Sequence, residues 1–306
     1  MKHSIILYIV LTMVFVLCSC TNSNVNKIER SDTPGANVMD TIGDESVLDD
    51  PDVKNTNDSS VPVDEKTVLD NSVTNSTNDS IVPVDEIKLK KCESAKTGLK
   101  YLLSLPQGYN SDSRKSWPLI LMLHGSGDRG DDLELVKRSG FTSIAEKDGL
   151  KFIAVYPQCP LDNEWEEMTE TLSVFLDELT DSLRVDKDRI SLSGFSMGGY
   201  GTWYMALKYP DRFAAIAPVC GSIFEQDLNE ETAERLKNIP IWAFHGALDD
   251  IVPIDDEKEL IDLIKKAGGN VKYKIYEGWG HDVWTPTYKN SEIFDWLLLQ
   301  KRQSTE

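Results

Sequence analysis

From Val16 to Lys100 the chain contains no Phe, Trp or Tyr. A stretch without large apolar side chains cannot bury enough surface to offset the entropy of ordering, which excludes a packed domain there. Cysteine is sparse: five residues in 306 cannot all pair, and their low density excludes a disulfide-stapled scaffold. Basic residues are outnumbered, 32 against 51 acidic, for a formal charge of −19. Phosphate backbones would be repelled, which excludes nucleic acid as the main partner. No Cys or His residues cluster at ligand spacing, so neither a metal nor a cofactor is suggested. The apolar run Ile5–Leu17 is shorter than the roughly 20 residues a bilayer span needs. Yet 40% of the residues are hydrophobic, too many for disorder throughout.

The aromatic-free stretch is acidic and repetitive. Residues 21–90 hold 15 acidic and 6 basic side chains. Thr56–Glu65 returns as Thr77–Glu86, and Val47–Asp49 as Val68–Asp70, both with a period of 21 residues. Such periods can signal a solenoid, but these copies offer almost nothing large and apolar to stack. They read as a disordered, self-repelling tether, reaching on the order of 45–50 Å root-mean-square for its roughly 70 residues. Before it, Lys2 and His3 precede the short apolar run in the manner of a signal peptide. The run ends in Leu17-Cys18-Ser19-Cys20, which resembles a bacterial lipobox. The resemblance implies a mature chain beginning at Cys20, which carries the lipid and partners a membrane. The expected location is the cell envelope, with the membrane face left open. An ordinary cleaved signal peptide is the other reading. The organisation expected is thus a signal over 1–19, an acidic linker over 20–86 and one domain over 87–306.

That domain holds all seven Trp. Ile87–Lys91 and Lys100–Leu105 read as an opening hairpin. Pro118–His124, Lys151–Tyr156, Ile190–Ser193, Ala214–Val219 and Ile241–Phe244 are continuous apolar runs, as strands covered on both faces should be. Val271–Tyr276 is a strand that alternates. Leu172, Phe175, Leu176, Leu179 and Leu183 recur at helical spacing. Leu260, Ile261 and Ile264 do the same before a Gly268-Gly269 stop. Ile293, Trp296 and Leu297 mark a last helix. Alternating strands and helices predict an α/β domain with a doubly wound, mostly parallel sheet, whose sites form at the carboxyl ends of the strands.

Three strand ends carry candidate chemistry. Gly194-Phe195-Ser196-Met197-Gly198 lies between a strand and a helix, the context of a nucleophile elbow. Asp249 follows the strand Ile241–Phe244 and can orient a histidine, with Asp250 the neighbour to exclude. His281, in Gly278-Trp279-Gly280-His281-Asp282, lies after the last strand. His124 and His245 each precede a glycine at a strand end.

With Pro118–Gly130 and His245–Pro253, these strings resemble the serine esterases of the α/β-hydrolase superfamily. The nearest groups are phospholipase/carboxylesterase and "predicted peptidase"; polyhydroxybutyrate-depolymerase-like and feruloyl-type esterases are also similar. The resemblance spans roughly residues 88–300. In these enzymes the chain order is Ser, acid, His. Of the three histidines left after the signal, only His281 follows Asp249. The resemblance therefore implies a Ser196, His281, Asp249 triad, with the Ser126 and Met197 amides as oxyanion donors. Dienelactone hydrolases share much of the pattern but carry Cys at the elbow, so Ser196 argues against that activity.

The expected function is a lipid-anchored ester hydrolase acting on small or carbohydrate-linked esters. A peptidase using the same triad is an alternative, although the chain leaves no room for the propeller of prolyl-oligopeptidase relatives. A surface binding module with a relict triad is another. Trp165 and Trp284 are candidates to line the substrate pocket. Cys159 and Cys220 follow strands three positions apart in the usual order, roughly 14 Å at the spacing of neighbouring strands, too far for a direct disulfide. Cys92 is unassigned, and the oligomeric state is left open.

Overall fold

The computed structural model describes residues 89–302, apart from 139–141, 146 and 148. The expected signal, Cys20 and the acidic linker lie outside the described residues.

Eight strands form a single sheet among the described residues. They are β1 (Lys90–Glu93), β2 (Lys100–Ser104), β3 (Trp117–Leu123), β4 (Ile153–Pro157), β5 (Val185–Phe195), β6 (Ala215–Val219), β7 (Ile241–Gly246) and β8 (Val271–Tyr276). Their order is β1-β2-β4-β3-β5-β6-β7-β8. β2 runs antiparallel to β1 and β4, and the rest of the sheet is parallel. This is the doubly wound, mostly parallel α/β fold that the alternation predicts.

The apolar runs are continuous because each central strand faces helices on both sides. In β3, Leu119, Leu121 and Leu123 enter one core and Ile120 and Met122 the other. The first core is closed by α2 (Thr169–Ser182), α3 (Met197–Lys208), α4 (Glu230–Leu236) and α5 (Ile254–Lys266), through Leu172, Phe175, Trp203, Leu236 and Leu260. The second is closed by α1 (Leu133–Arg138), α6 (Trp284–Lys289) and α7 (Glu292–Leu299), through Leu133, Val136, Tyr288, Ile293 and Leu297. Each fully buried Leu or Ile contributes about 1.5–3 kcal/mol. β8 alternates because it is the sheet edge, half-covered by the helices.

β5 is longer than the run Ile190–Ser193. Val185 pairs with Trp117, and a register shift between Trp117 and Leu119 lets the ladder resume at Ile190. Asp186–Arg189 masked this extension, because four polar residues read as a turn. Here the Asp186–Arg189 ion pair (2.7 Å) keeps them at the surface. The short helices α1, α4 and α6 have too few turns to show periodicity. The N-terminus of α4 is fixed instead by Asn229, whose side chain accepts from the Thr232 amide at 3.0 Å. Cys159 and Cys220 are both free, with β3 and β5 lying between the strands they follow.

One backbone approach ties the sheet to α3. A Cβ on Gly198 would lie 2.1 Å from the Leu123 carbonyl oxygen and 2.8 Å from that of His124, and one on Gly194 would lie 2.3 Å from the Gly198 carbonyl. Gly198→Ala should therefore destabilise the domain by about 3 kcal/mol or more in urea unfolding, since backbone cannot yield as a side chain can. Gly127→Ala, with nothing within 4 Å of the added carbon, should change stability by less than about 0.5 kcal/mol.

Candidate active site

Ser196 is the residue between β5 and α3. Its backbone sits at φ 55° and ψ −121°, a strained conformation for a residue with a Cβ. Its amide donates to the Val219 carbonyl (2.9 Å), and its carbonyl accepts from the Gly199 and Tyr200 amides at 2.7 and 3.1 Å. Ser196 Oγ and His281 Nε2 are 2.8 Å apart, and His281 Nδ1 is 2.7 Å from Asp249 Oδ2. Asp249 accepts at Nδ1, so Nδ1 carries the proton and Nε2 is free to accept from Ser196 Oγ.

Asp249 is buried and Asp250 is exposed, which settles which of the two reaches the histidine. Asp249 Oδ1 accepts from the Ile251 and Val252 amides at 3.0 and 2.9 Å. The Asp249 and His281 loops meet at Gly246, where a Cβ would lie 2.0 Å from the Gly280 carbonyl oxygen. The glycine of His245-Gly246 is thus needed for close approach of the two loops.

Met197 opens α3 directly after Ser196, and the same backbone contact joins that helix to the strand leading to Ser126. Gly198 abuts the Leu123–His124 peptide, and Ser126 follows two residues later, opening a 3-10 turn over Ser126–Asp128. Among the described residues neither amide donates to a backbone carbonyl, and α3 presents its positive N-terminal end at Met197.

Several residues that sequence reasoning missed hold this turn in place. Arg129 Nε donates to the Ser126 carbonyl (3.2 Å), while its Nη1 pairs with Glu164 (2.5 Å). The Gln158 side-chain amide donates to the Asp128 and Asp132 carbonyls at 2.9 and 3.0 Å. His124 is fully buried; its Nδ1 donates to the Gly125 carbonyl (2.7 Å) and its Nε2 accepts from the Cys159 amide (2.9 Å). Burial, assisted by Arg129, lowers its pKa to about 4 despite the Gly125 acceptor, so this imidazole is neutral.

The two tryptophans part company. Trp165 does not line a pocket, contrary to expectation. It has no exposed surface, donates from Nε1 to the His124 carbonyl (3.0 Å), and fills the space beside Gly201. The reason is that the loop after β4 folds inward beneath the Ser126 turn. Trp284 lies with its edge towards His281 (centroids 5.5 Å) and stacks on Phe195 at 4.7 Å. Leu161, Phe224, Leu248, Ile251 and Trp279 are the exposed apolar side chains on the loops after β4, β6, β7 and β8, all at the carboxyl ends of the strands.

Cys220, Asp249 and His281 bring potential metal ligands within 4.8 Å of one another. However, Asp249 and His281 already bond to each other. Burial holds the Cys220 thiol well above its ordinary pKa, so it is no thiolate ligand. The arrangement suits proton transfer from Ser196 rather than metal binding.

The neutral His124 predicts an acid-sensitive stability. Its folded pKa, about 4, lies below the ordinary 6.5, so the unfolded state takes up the proton first. Its contribution is complete above about pH 6.5 and is lost as pH falls towards about 4, at a slope approaching about 1.4 kcal/mol per pH unit. Urea unfolding over that range should show a shallower slope in His124→Gln than in the wild type.

The comparisons with known proteins point to esterases. Residues 158–291 match the family described as Phospholipase/Carboxylesterase. A bifunctional acetylxylan esterase/xylanase of Neocallimastix patriciarum is 28% identical over 141 residues, 44% of this chain and 20% of that protein. A poly(3-hydroxyalkanoate) depolymerase C of Paucimonas lemoignei is 30% identical over 123 residues, 35% of this chain and 28% of that protein. The chain thus matches less than a third of either relative's length. A thermostable esterase of known structure superposes with a TM-score of 0.59 at 29% identity, covering 72% of this chain and 64% of that one. The chain is thus similar in fold and sequence to a solved esterase, and its residues 158–291 match the phospholipase/carboxylesterase family.

Proposed function

We propose that the protein is a serine esterase that cleaves carboxylic esters through an acyl-enzyme. The observation that carries the reading is the unbroken line from Ser196 Oγ to His281 Nε2 (2.8 Å) and from His281 Nδ1 to Asp249 (2.7 Å). It stands at the N-terminus of α3, where positive potential favours a developing oxyanion. Ser196 Oγ attacks the ester carbonyl carbon as His281 Nε2 takes its proton. The carbonyl oxygen becomes an oxyanion held by the Ser126 and Met197 amides. Asp249 stabilises the imidazolium without taking its proton. His281 then protonates the leaving alcohol. Water, activated the same way, releases the acid and restores Ser196.

The apolar side chains at the strand ends favour a substrate with apolar surface beside the ester. The acetylxylan esterase relative favours an ester carried on a carbohydrate. We also propose that Cys20 is lipidated and that the acidic linker holds the enzyme off an anionic membrane surface, where its charge is repelled. The composition supports this, with 15 acidic residues against 6 basic across residues 21–90.

Ser196→Ala should lower kcat by at least about 10,000-fold on p-nitrophenyl esters, towards the rate left by the oxyanion donors and binding alone. An undiminished rate would refute the mechanism. Aminoacyl anilides cleaved in preference to p-nitrophenyl esters or methyl ferulate would replace the esterase reading with a peptidase. Failure to cleave any of them would replace it with a binding module. Cys20→Ser should move the protein from the membrane to the soluble fraction of fractionated cells; retention in the membrane would refute lipidation.

A further inference from the structure

Behind Asp249, on the side away from Ser196, two more ionisable side chains are fully buried. His245 lies near the end of β7 and Glu257 in the first turns of α5, and neither side chain has exposed surface. His245 Nδ1 is 2.7 Å from Glu257 Oε2. His245 Nε2 is 2.9 Å from the Val252 carbonyl oxygen and 3.3 Å from Asp249 Oδ2. Trp203 of α3 donates from Nε1 to Glu257 Oε1 at 3.3 Å. Two buried titratable groups would be a costly way to fill a core if packing were their purpose.

The proton count defines what the pair does. Nε2 of His245 faces only acceptors, so it carries a hydrogen. The short contact between Nδ1 and Oε2 then holds one further proton. The pair is net neutral whichever atom keeps it, as imidazolium and carboxylate or as imidazole and carboxylic acid. Burial pushes the Glu257 carboxyl up. Burial pulls His245 down, but Glu257, Val252 and Asp249 outweigh it and hold the imidazole above its ordinary value. Both shifts retain the shared proton as pH rises. Asp255 and Asp256 of α5 lie within electrostatic reach of Tyr273 and Tyr200, and three further groups nearby are uncharged. Tyr200 of α3, Tyr273 of β8 and the Cys220 thiol after β6 all have raised pKa values, largely through burial.

Asp249 Oδ1 receives the Ile251 and Val252 amides and Oδ2 receives His281 Nδ1, while His245 Nε2, whose hydrogen goes to the Val252 carbonyl, lies 3.3 Å from Oδ2. We propose that His245 and Glu257 are a positioning pair for the triad: Glu257 orients His245, and His245 Nε2–H ties down the Val252 carbonyl, so that the turn from Asp249 to Val252 presents Oδ2 to His281. The inference rests on the esterase reading of Ser196, Asp249 and His281. Without that tie the turn and its carboxylate are freer to move, which lowers kcat. The positive edge of Nε2–H is also lost from beside Oδ2, which favours the His281 imidazolium and moves the acid limb of kcat/KM to higher pH.

Two double variants separate this donor from packing. In H245Q/E257Q the introduced glutamine amide stands where the imidazole Nε2–H stood. In H245N/E257Q the shorter asparagine amide reaches only the position of the imidazole Nδ1. Both remove the buried charges, so neither orphans one. With p-nitrophenyl acetate, H245N/E257Q should lose kcat on the order of 10–100-fold, the loss typical of removing a supporting shell. Its KM should be unchanged and its acid limb raised. H245Q/E257Q, which keeps a donor at the Nε2 position, should stay near the wild type, whereas E257Q alone, which loosens His245, should lose kcat by less than H245N/E257Q with its acid limb raised. Equal kcat and equal acid limbs in the two double variants would overturn the inference. So would a kcat loss in E257Q with the acid limb unmoved. Ser196→Ala assayed in parallel tells the readings apart: full activity there sinks the triad itself, whereas its loss beside indistinguishable double variants sinks only the positioning pair.

Discussion

The site depends on the backbone of Ser196 at φ 55°. A residue with a Cβ pays about 1–3 kcal/mol to sit in such a conformation, and keeps it only where the surroundings fix it. Here the fixing is entirely backbone. The Ser196 amide is spent on Val219, and its carbonyl on the Gly199 and Tyr200 amides. Gly194 and Gly198 let α3 press against the Leu123 carbonyl. That contact also links the Met197 amide to the Ser126 turn. The Met197 amide belongs to the first residue of the helix so pressed, and the Ser126 turn grows out of the strand it presses on. Ser196 and the start of α3 are thus set by one approach of two backbones, and the side chains of Arg129, Gln158 and His124 then hold the Ser126 turn.

What the sequence reveals follows from this. Glycines that admit backbone contact cannot be replaced, so Gly194-Phe195-Ser196-Met197-Gly198 is visible as a string. Strands covered on both faces must be apolar throughout, so Pro118–His124 and its companions are visible as runs. Asp249 and His281 lie in loops after strands, and their order along the chain separates His281 from the other two histidines. Asp249 and Asp250 are adjacent and chemically alike; only the tight turn that aims the Asp249 Oδ1 at two amides distinguishes them.

What stayed hidden is hidden for physical reasons too. Trp165 follows a strand end like a pocket residue, but whether a loop folds in or out depends on cavities elsewhere, here the one beside Gly201. Glu257 stands among Asp255, Asp256 and Glu259 and reads as one more acid on a solvated helix. Yet its neighbours at helical spacing on the buried face of α5 are Ile254, Leu260, Ile261 and Ile264. An acid in register with an apolar stripe is a buried acid, and it must have a partner. The signal was present in the spacing rather than in the residue type. Arg129 and Gln158 carry no comparable mark, since each works by reaching carbonyls that belong to a different loop.

The three histidines of the domain show how far environment, rather than identity, assigns a role. All three follow from strand ends on the same side of the sheet. His124 has a single acceptor at Nδ1 and accepts a hydrogen bond from the Cys159 amide at Nε2, so burial wins and the ring is a neutral connector between the ends of β3 and β4. His245 has acceptors on both nitrogens and a buried carboxyl facing one of them, so it keeps its proton and serves as a donor. His281 alone has a carboxylate on one side and a hydroxyl on the other. A hydroxyl can give its hydrogen away and a carbonyl cannot, so only His281 has a proton to collect from its partner. The opening to solvent decides the rest: His281 is the one histidine of the three with exposed side-chain surface, and a base that must meet a substrate has to be reachable. Chain order selects the same residue because the loop after the edge strand β8 reaches back across the ends of β7 and β6 to the elbow at the end of β5.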